Sequence, residues 1–391
     1  MFYNREEKEL LGRYFKYYRK QNNIPIKQIT SAGICEYRAY KRIEEGKSSN
    51  DELMDALLKY FNIDDEIVEI LRKINPLINE LYDACEWDDN EKINSIIQTI
   101  KHQTNHHSSN SLIVELINTI EIIKRQYISN EYLTEKEIYE TFKLIELWNN
   151  KLSSLLIEVC GNSNSNIAVS YDIAHKIGDY ASKNDSISEY WYAQSCVNKA
   201  NYAEALGIYN ELELKYENDY NKIRYLQVIQ RKQVIYRDID GKKAEDYTVK
   251  LLKHLEDDDI QSLIKAPIYY NIAMYYYLNS RYEEALVCYE KNFNIIERDK
   301  TILFISTCRS RLNSLLNFKI IENKDSVLYP YIHYFYLKAN NKEPKELEDY
   351  ILLNLVPLLM NDKYEYPLWE MFNYETSQLV KETRNYKNCN L

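Results

Sequence analysis

Asn201-Tyr202-Ala203-Glu204-Ala205-Leu206-Gly207-Ile208-Tyr209 and Arg281-Tyr282-Glu283-Glu284-Ala285-Leu286-Val287-Cys288-Tyr289 align without a gap at an interval of 80 residues. Both put a small residue, Ala205 or Ala285, four positions before an aromatic, Tyr209 or Tyr289, which is one face of an α-helix. Each follows an aromatic-rich helical stretch, 190–199 and 268–278. A weaker copy, Gly241-Lys242-Lys243-Ala244-Glu245-Asp246-Tyr247, lies midway behind a helical stretch at 223–237, so an interval of 40 occurs twice. Helix pairs of this kind bury their faces only by stacking on the next pair. The expectation is therefore a series of pairs, well marked over 187–299 and degenerate over 85–185 and 300–385.

Composition agrees. The 391 residues include only 7 Gly and 7 Pro, against average usage of roughly 7% and 5%. Sheets joined by tight turns need both residues, and helix interiors exclude them, so an all-α protein is predicted. Helical periodicity also marks 88–103, 109–128, 134–158, 166–183 and 187–199, with late helices at 343–359 and 368–382. The 38 Tyr against 9 Phe read as compositional bias alongside heavy Ile, Asn and Lys usage. Seven scattered cysteines offer no C-x-x-C pair, which argues against a zinc finger, a redox motif or a disulfide framework. Charged residues from Asn4 to Lys8 argue against a secretory leader. The longest apolar run, 351–360, is too short to span a bilayer. A reduced, cytoplasmic chain with no membrane segment is expected.

The first sixty residues have a different character. Residues 1–62 carry 12 Lys/Arg and 9 Asp/Glu, a net of +3, within a chain of net −10. Leu10, Leu11, Tyr14, Phe15 and Tyr18 form an apolar stripe on a first helix. Asn22-Asn23 ends it, and Pro25 suits the first position of a second helix. Ala32-Gly33 makes a turn, and a third helix over 36–45 carries Tyr37, Arg38, Lys41 and Arg42 before Gly46 stops it. Ser49 with Glu52 reads as a capping box opening a fourth helix with Leu53, Met54, Leu57, Leu58 and Phe61 inside. Two short helices about a small-residue turn, the second studded with Arg and Lys, make a helix-turn-helix whose second helix fits a major groove.

Arg42-Ile43-Glu44-Glu45-Gly46-Lys47 resembles the R-I-E-x-G-K signature of the Xre/Cro-type helix-turn-helix family, and residues 5–65 follow its five-helix spacing. By that resemblance Glu36, Tyr37, Arg38 and Lys41 fall where the family reads bases, and Arg42 near its phosphate contacts. The chain departs from the family in carrying Ile26 where a Gln commonly clamps the DNA backbone. The small-residue and aromatic pairs resemble tetratricopeptide repeats, whose family period is roughly 34 residues.

Head and body together resemble the RRNPP family of peptide-sensing regulators (the PlcR, PrgX, Rgg, NprR and Rap relatives). The resemblance implies a helix-turn-helix domain over 1–65 and a right-handed tetratricopeptide-like solenoid over 85–391; between them, the periodicity of Ile67, Ile70, Leu71 and Ile74 marks a linker helix over 66–84, bent near Pro76. The resemblance also implies a homodimer, double-stranded DNA as one partner, and a short linear signalling peptide in the solenoid's groove. Asn271 falls where that family places a peptide-clamping Asn. Gln230 and Arg231 one repeat earlier, and Arg311 one repeat later, are its expected neighbours, two arginines being suited to a peptide carboxylate. A Rap-like body that binds a partner protein, with a degenerate head, is the alternative. His102, His106 and His107 lack an acidic partner and read as a solvated helix end. No phosphate-binding Gly loop, nucleophile elbow or Cys/His pair occurs, so neither an enzyme nor a cofactor or metal site is expected.

Overall fold

The computed structural model describes the chain apart from residues 1, 48–49, 64–65, 108–109, 149–150, 168–170, 258–259, 261, 316–322, 325, 327, 361–366 and 384–391. Among the described residues the regular elements are all helical, and no helix is long and apolar enough to cross a membrane. The chain divides into two compact units, 1–225 and 226–391.

In the first unit, α1 (Arg5–Gln21) opens on a capping box. Asn4 Oδ1 accepts the Glu7 N–H and Glu7 Oε2 accepts the Asn4 N–H, both at 2.9 Å. Leu11, Tyr14 and Phe15 are its buried face. The next helix, α2 (Ile26–Ser31), starts one residue later than the sequence suggests, because Pro25 is extended (ψ 145°) and serves as the cap. α3 (Tyr37–Glu44) ends in a Schellman turn. Gly46 sits at φ +70°, its N–H reaching Ile43 O at 2.9 Å, and the Lys47 N–H reaches Arg42 O at 2.8 Å. α4 (Asp51–Tyr60) is capped by Asn50, whose Oδ1 accepts the Leu53 N–H at 2.9 Å; Ser49, the expected cap, lies outside the described residues.

α5 (Glu66–Glu86) covers the stretch expected as the linker helix and continues through Pro76. It is followed by α6 (Asn90–Thr104), α7 (Ser111–Tyr127), α8 (Glu135–Trp148), α9 (Lys151–Ile167), α10 (Tyr171–Tyr180), α11 (Ser186–Asn198) and α12 (Tyr202–Asn218). The single helix expected over 134–158 is two, α8 and α9, packed on each other. Asn149-Asn150, poor helix formers, stand between them in the sequence.

At the C-terminus of α5 the unit buries a charge pair. Arg224, near the start of α13 (Lys222–Ile239), donates from Nε to Glu86 O and from Nη2 to Cys85 O, both at 3.1 Å. The same guanidinium meets Glu158 of α9 at 3.0 Å, and the Tyr127 hydroxyl donates to that carboxylate. Burial alone would lower the Arg224 pKa, but the Glu158 charge holds it well above its ordinary value.

The second unit contains α14 (Gly241–Leu255), α15 (Ser262–Leu278), α16 (Tyr282–Ile295), α17 (Asp299–Arg311), α18 (Tyr329–Ala339), α19 (Pro344–Tyr350), α20 (Val356–Leu359) and α21 (Leu368–Thr383). A π-helical turn, Ile351–Leu355, joins α19 to α20 just before Pro357, which has no N–H to continue the regular ladder.

The repeat register differs from the expected uniform 40. The fully buried pairs are Ala205 with Tyr209, Ala244 with Thr248, and Ala285 with Tyr289, so the intervals are 39 and 41. Thr248, not Tyr247, occupies the aromatic slot of the middle copy. Tyr247 is half-buried and stacks on Tyr236 at 5.5 Å.

Candidate functional site

α3 has two faces. Tyr40, Ile43 and Glu44 are buried, while Tyr37, Arg38, Lys41 and Arg42 are exposed along the other side, with Glu36 exposed at the N-cap. Burying a glutamate requires a partner. Arg19 of α1 supplies it, with Nε at 2.7 Å and Nη2 at 3.2 Å from the Glu44 carboxylate, and also donates to Ile24 O at 3.2 Å. This ties α1, the turn before α2, and α3 together. The bond to Glu44 holds the Arg19 pKa above its ordinary value.

On the outer face, Lys41 Nζ lies 5.6 Å from the centre of the Tyr37 ring. Arg38 and Arg42 form no ion pair with any described residue, which leaves two guanidinium groups open to an external acceptor. Close packing positions the helix, since a Cβ on Gly12 would lie 2.0 Å from the Ile43 carbonyl oxygen. On α2, Ile26 is half-buried, and Lys27 and Gln28 are exposed. The spacing arguments marked the outward residues of α3. They missed the Arg19–Glu44 pair, whose only sequence signal is an acidic residue inside an otherwise basic helix.

The head rests on the helices that follow it. The Tyr14 hydroxyl bonds the Ser111 hydroxyl, Arg13 Nη1 donates to Glu146 O at 3.5 Å, and Lys20 Nζ lies 4.0 Å from Glu146. Burial, then the neighbouring Glu115 carboxylate, pushes the Tyr17 hydroxyl up in pKa. A cavity of about 690 Å³ opens between α1, α5 and the α8–α9 corner.

The residues proposed to hold a peptide lie in the second unit. Asn271 of α15 is half-buried, and its side chain bonds no described residue. Gln230 is buried and donates from Nε2 to Pro267 O at 2.9 Å, one turn before Asn271, so both amides border the same stretch of α15. Arg231 is half-buried. Arg311 is held by tyrosines. Its guanidinium carbon is 3.3 Å from the Tyr374 ring centre and 5.5 Å from that of Tyr282, and its Nε and Nη2 are buried without a hydrogen-bond acceptor. Sequence spacing did not point to Lys300, whose Nζ lies 4.6 Å from the Tyr270 ring centre. Burial, then the nearby Arg298 charge, lowers its pKa to about 8.

No family model matches the chain, and neither does any curated protein or solved structure.

Proposed function

We propose that the chain is a DNA-binding transcriptional regulator whose operator binding is controlled by a small peptide. The observation that carries this reading is the outward face of α3. Arg38, Lys41 and Arg42 are exposed together on a helix whose inner side is pinned by the Arg19–Glu44 pair. Such a helix suits a major groove, with Arg38 reaching a guanine edge and Arg42 a phosphate. Charge supports it: residues 1–62 are net positive in a chain of −10.

In this reading the helix pairs of the body form a tetratricopeptide-like solenoid, and the protein acts as a homodimer so that two heads read paired half-sites. Asn271 clamps the backbone of an extended peptide, because an unsatisfied amide on the ligand would cost more than its contacts return. Gln230, Arg231 and Arg311 flank it.

A mobility shift with DNA from upstream of the chain's own coding region tests the first half. Arg38→Ala should weaken operator binding by about 1–3 kcal/mol, and an unchanged curve would remove α3 from the groove. The second half is tested with a synthetic peptide copied from a neighbouring short reading frame. Asn271→Ala should abolish the response of DNA binding to that peptide with thermal stability retained, and an intact response would remove Asn271 from the site.

A further inference from the structure

The cavity between α1, α5 and the α8–α9 corner plays no part in the proposed reading of DNA or peptide. At about 690 Å³ it falls within the size range of small-molecule sites. Leu10, Val68, Leu71 and the Trp148 ring give it an apolar lining. Its charged groups are unequally satisfied. Glu7 is taken up by Arg72 at 2.6 and 2.9 Å, Glu9 by Arg5 at 2.9 Å, and Glu6 stands exposed on the first turn of α1.

Arg13 is the exception. It is half-buried, has no ion-pair partner among the described residues, and makes one long bond to a backbone carbonyl at 3.5 Å. Burial lowers its pKa, and Glu9, already engaged with Arg5, offsets this only in part. Lys151 supplies a second cation, 3.4 Å from the largely exposed Asp83. The side chains of Asn75 and Asn79, one turn apart on α5, are exposed and bond no described residue. A half-buried guanidinium with no ion-pair partner and only one long bond to a backbone carbonyl, beside free amides and an apolar wall, is chemistry suited to a carboxylate on an apolar body.

We propose that this cavity binds a small amphipathic carboxylic acid, its carboxylate on Arg13 and its apolar body against Trp148 and Leu71. Bound there, the acid bridges a helix of the head to α5 and α8, so it stiffens the seat of the head without touching α3 or Asn271.

The test uses the full chain with octanoate and 4-phenylbutyrate as probes and octanamide as the neutral match, read by calorimetry and by hydrogen exchange in α1. The acids should bind and slow exchange in α1. Arg13→Gln should weaken them about tenfold or more, the size expected for a charge-assisted bond. Asn79→Asp, at an exposed position that leaves packing intact, should weaken them in the same direction by placing a like charge at the mouth. Absence of binding by both acids overturns the proposal. Octanamide binding as well as octanoate, or affinity unchanged in both variants, does so equally. None of these measurements involves DNA or peptide, so the outcome is independent of the reading above.

Discussion

Glu44 is 8% exposed and its partner Arg19 15%, so neither charge has enough water to survive alone. Removing one member of such a pair strands the other in a poorly solvated site. Glu44→Gln should destabilise the head by about 3 kcal/mol, measured by urea unfolding followed through hydrogen exchange in α1–α3. A loss within about 0.5 kcal/mol, the range of ordinary surface changes, would show that water reaches the pair. Glu7 gives a pH-dependent case. Burial raises its pKa, but the bond from Arg72 and the Asn4 N–H more than reverse this, leaving it below its ordinary value of 4.5. A carboxylate depressed on folding contributes stability that is complete above its unfolded pKa and is lost as pH falls through the folded one. Wild type should therefore lose stability below about pH 4.5 more steeply than Glu7→Gln, and parallel acid-unfolding curves would exclude the role. At this scale the sequence told half the story. Helical spacing marks Arg38 and Arg42 as outward-facing, because that property depends only on their own helix. The burial of Glu44 depends on Arg19, 25 positions away, and no local pattern carries such a distance.

Two helix ends were legible because their chemistry is local. Asn22-Asn23 at the end of α1 and Gly46 after α3 both act through their own backbone. Crossings between helices were not legible. α1 passes α3 at Gly12, where an added methyl would meet the Ile43 backbone carbonyl, an atom that cannot rotate aside. Gly12→Ala should cost about 1–3 kcal/mol or more through overpacking, even though Ala is the better helix former. Equal or greater thermal stability in the variant would mean the two helices can part freely. The repeat register failed for a related reason. A uniform interval of 40 assumes the same residue type in each slot, and the middle copy fills its slot with Thr248. That hydroxyl accepts from Gln233 Nε2 at 3.1 Å and donates to Ala244 O at 2.8 Å, while Gln233 Oε1 is buried without a hydrogen bond. Thr248→Val alone leaves both ends of the Gln233 amide unpaired and should cost about 1–3 kcal/mol. The double change with Gln233→Leu should recover most of that loss, since an apolar pair has nothing left unsatisfied. A double variant no more stable than the single one would show that the amide, not its polarity, fills the space.

Across the molecule, charge is divided as unevenly as sequence character. A net of +3 over residues 1–62 sits in a chain whose remainder is −13. The boundary of the basic region was visible in composition. That the head shares a compact unit with the helices up to Tyr225 was not, because contacts such as Tyr14 with Ser111 join residues 97 apart. The imbalance bears directly on the proposed DNA partner. An acidic chain gains nothing from phosphate at long range, so affinity must come from the few cations in contact. Each phosphate neutralised by Lys or Arg releases counterions and steepens the log–log dependence of affinity on salt by about 0.9. With Arg38 and Lys41 on base edges, Arg42 alone leaves a slope of only about −1 per head, shallow beside that of a uniformly basic domain. Arg42→Gln should reduce the slope by about 1 per head and weaken all sequences alike, whereas Arg38→Ala should relax discrimination and leave the slope nearly unchanged. Titrations of operator and scrambled duplex across a salt series separate the two. An identical slope in wild type and Arg42→Gln would take Arg42 off the phosphates and turn α3 about its axis, making Lys41 and Tyr37 the backbone contacts.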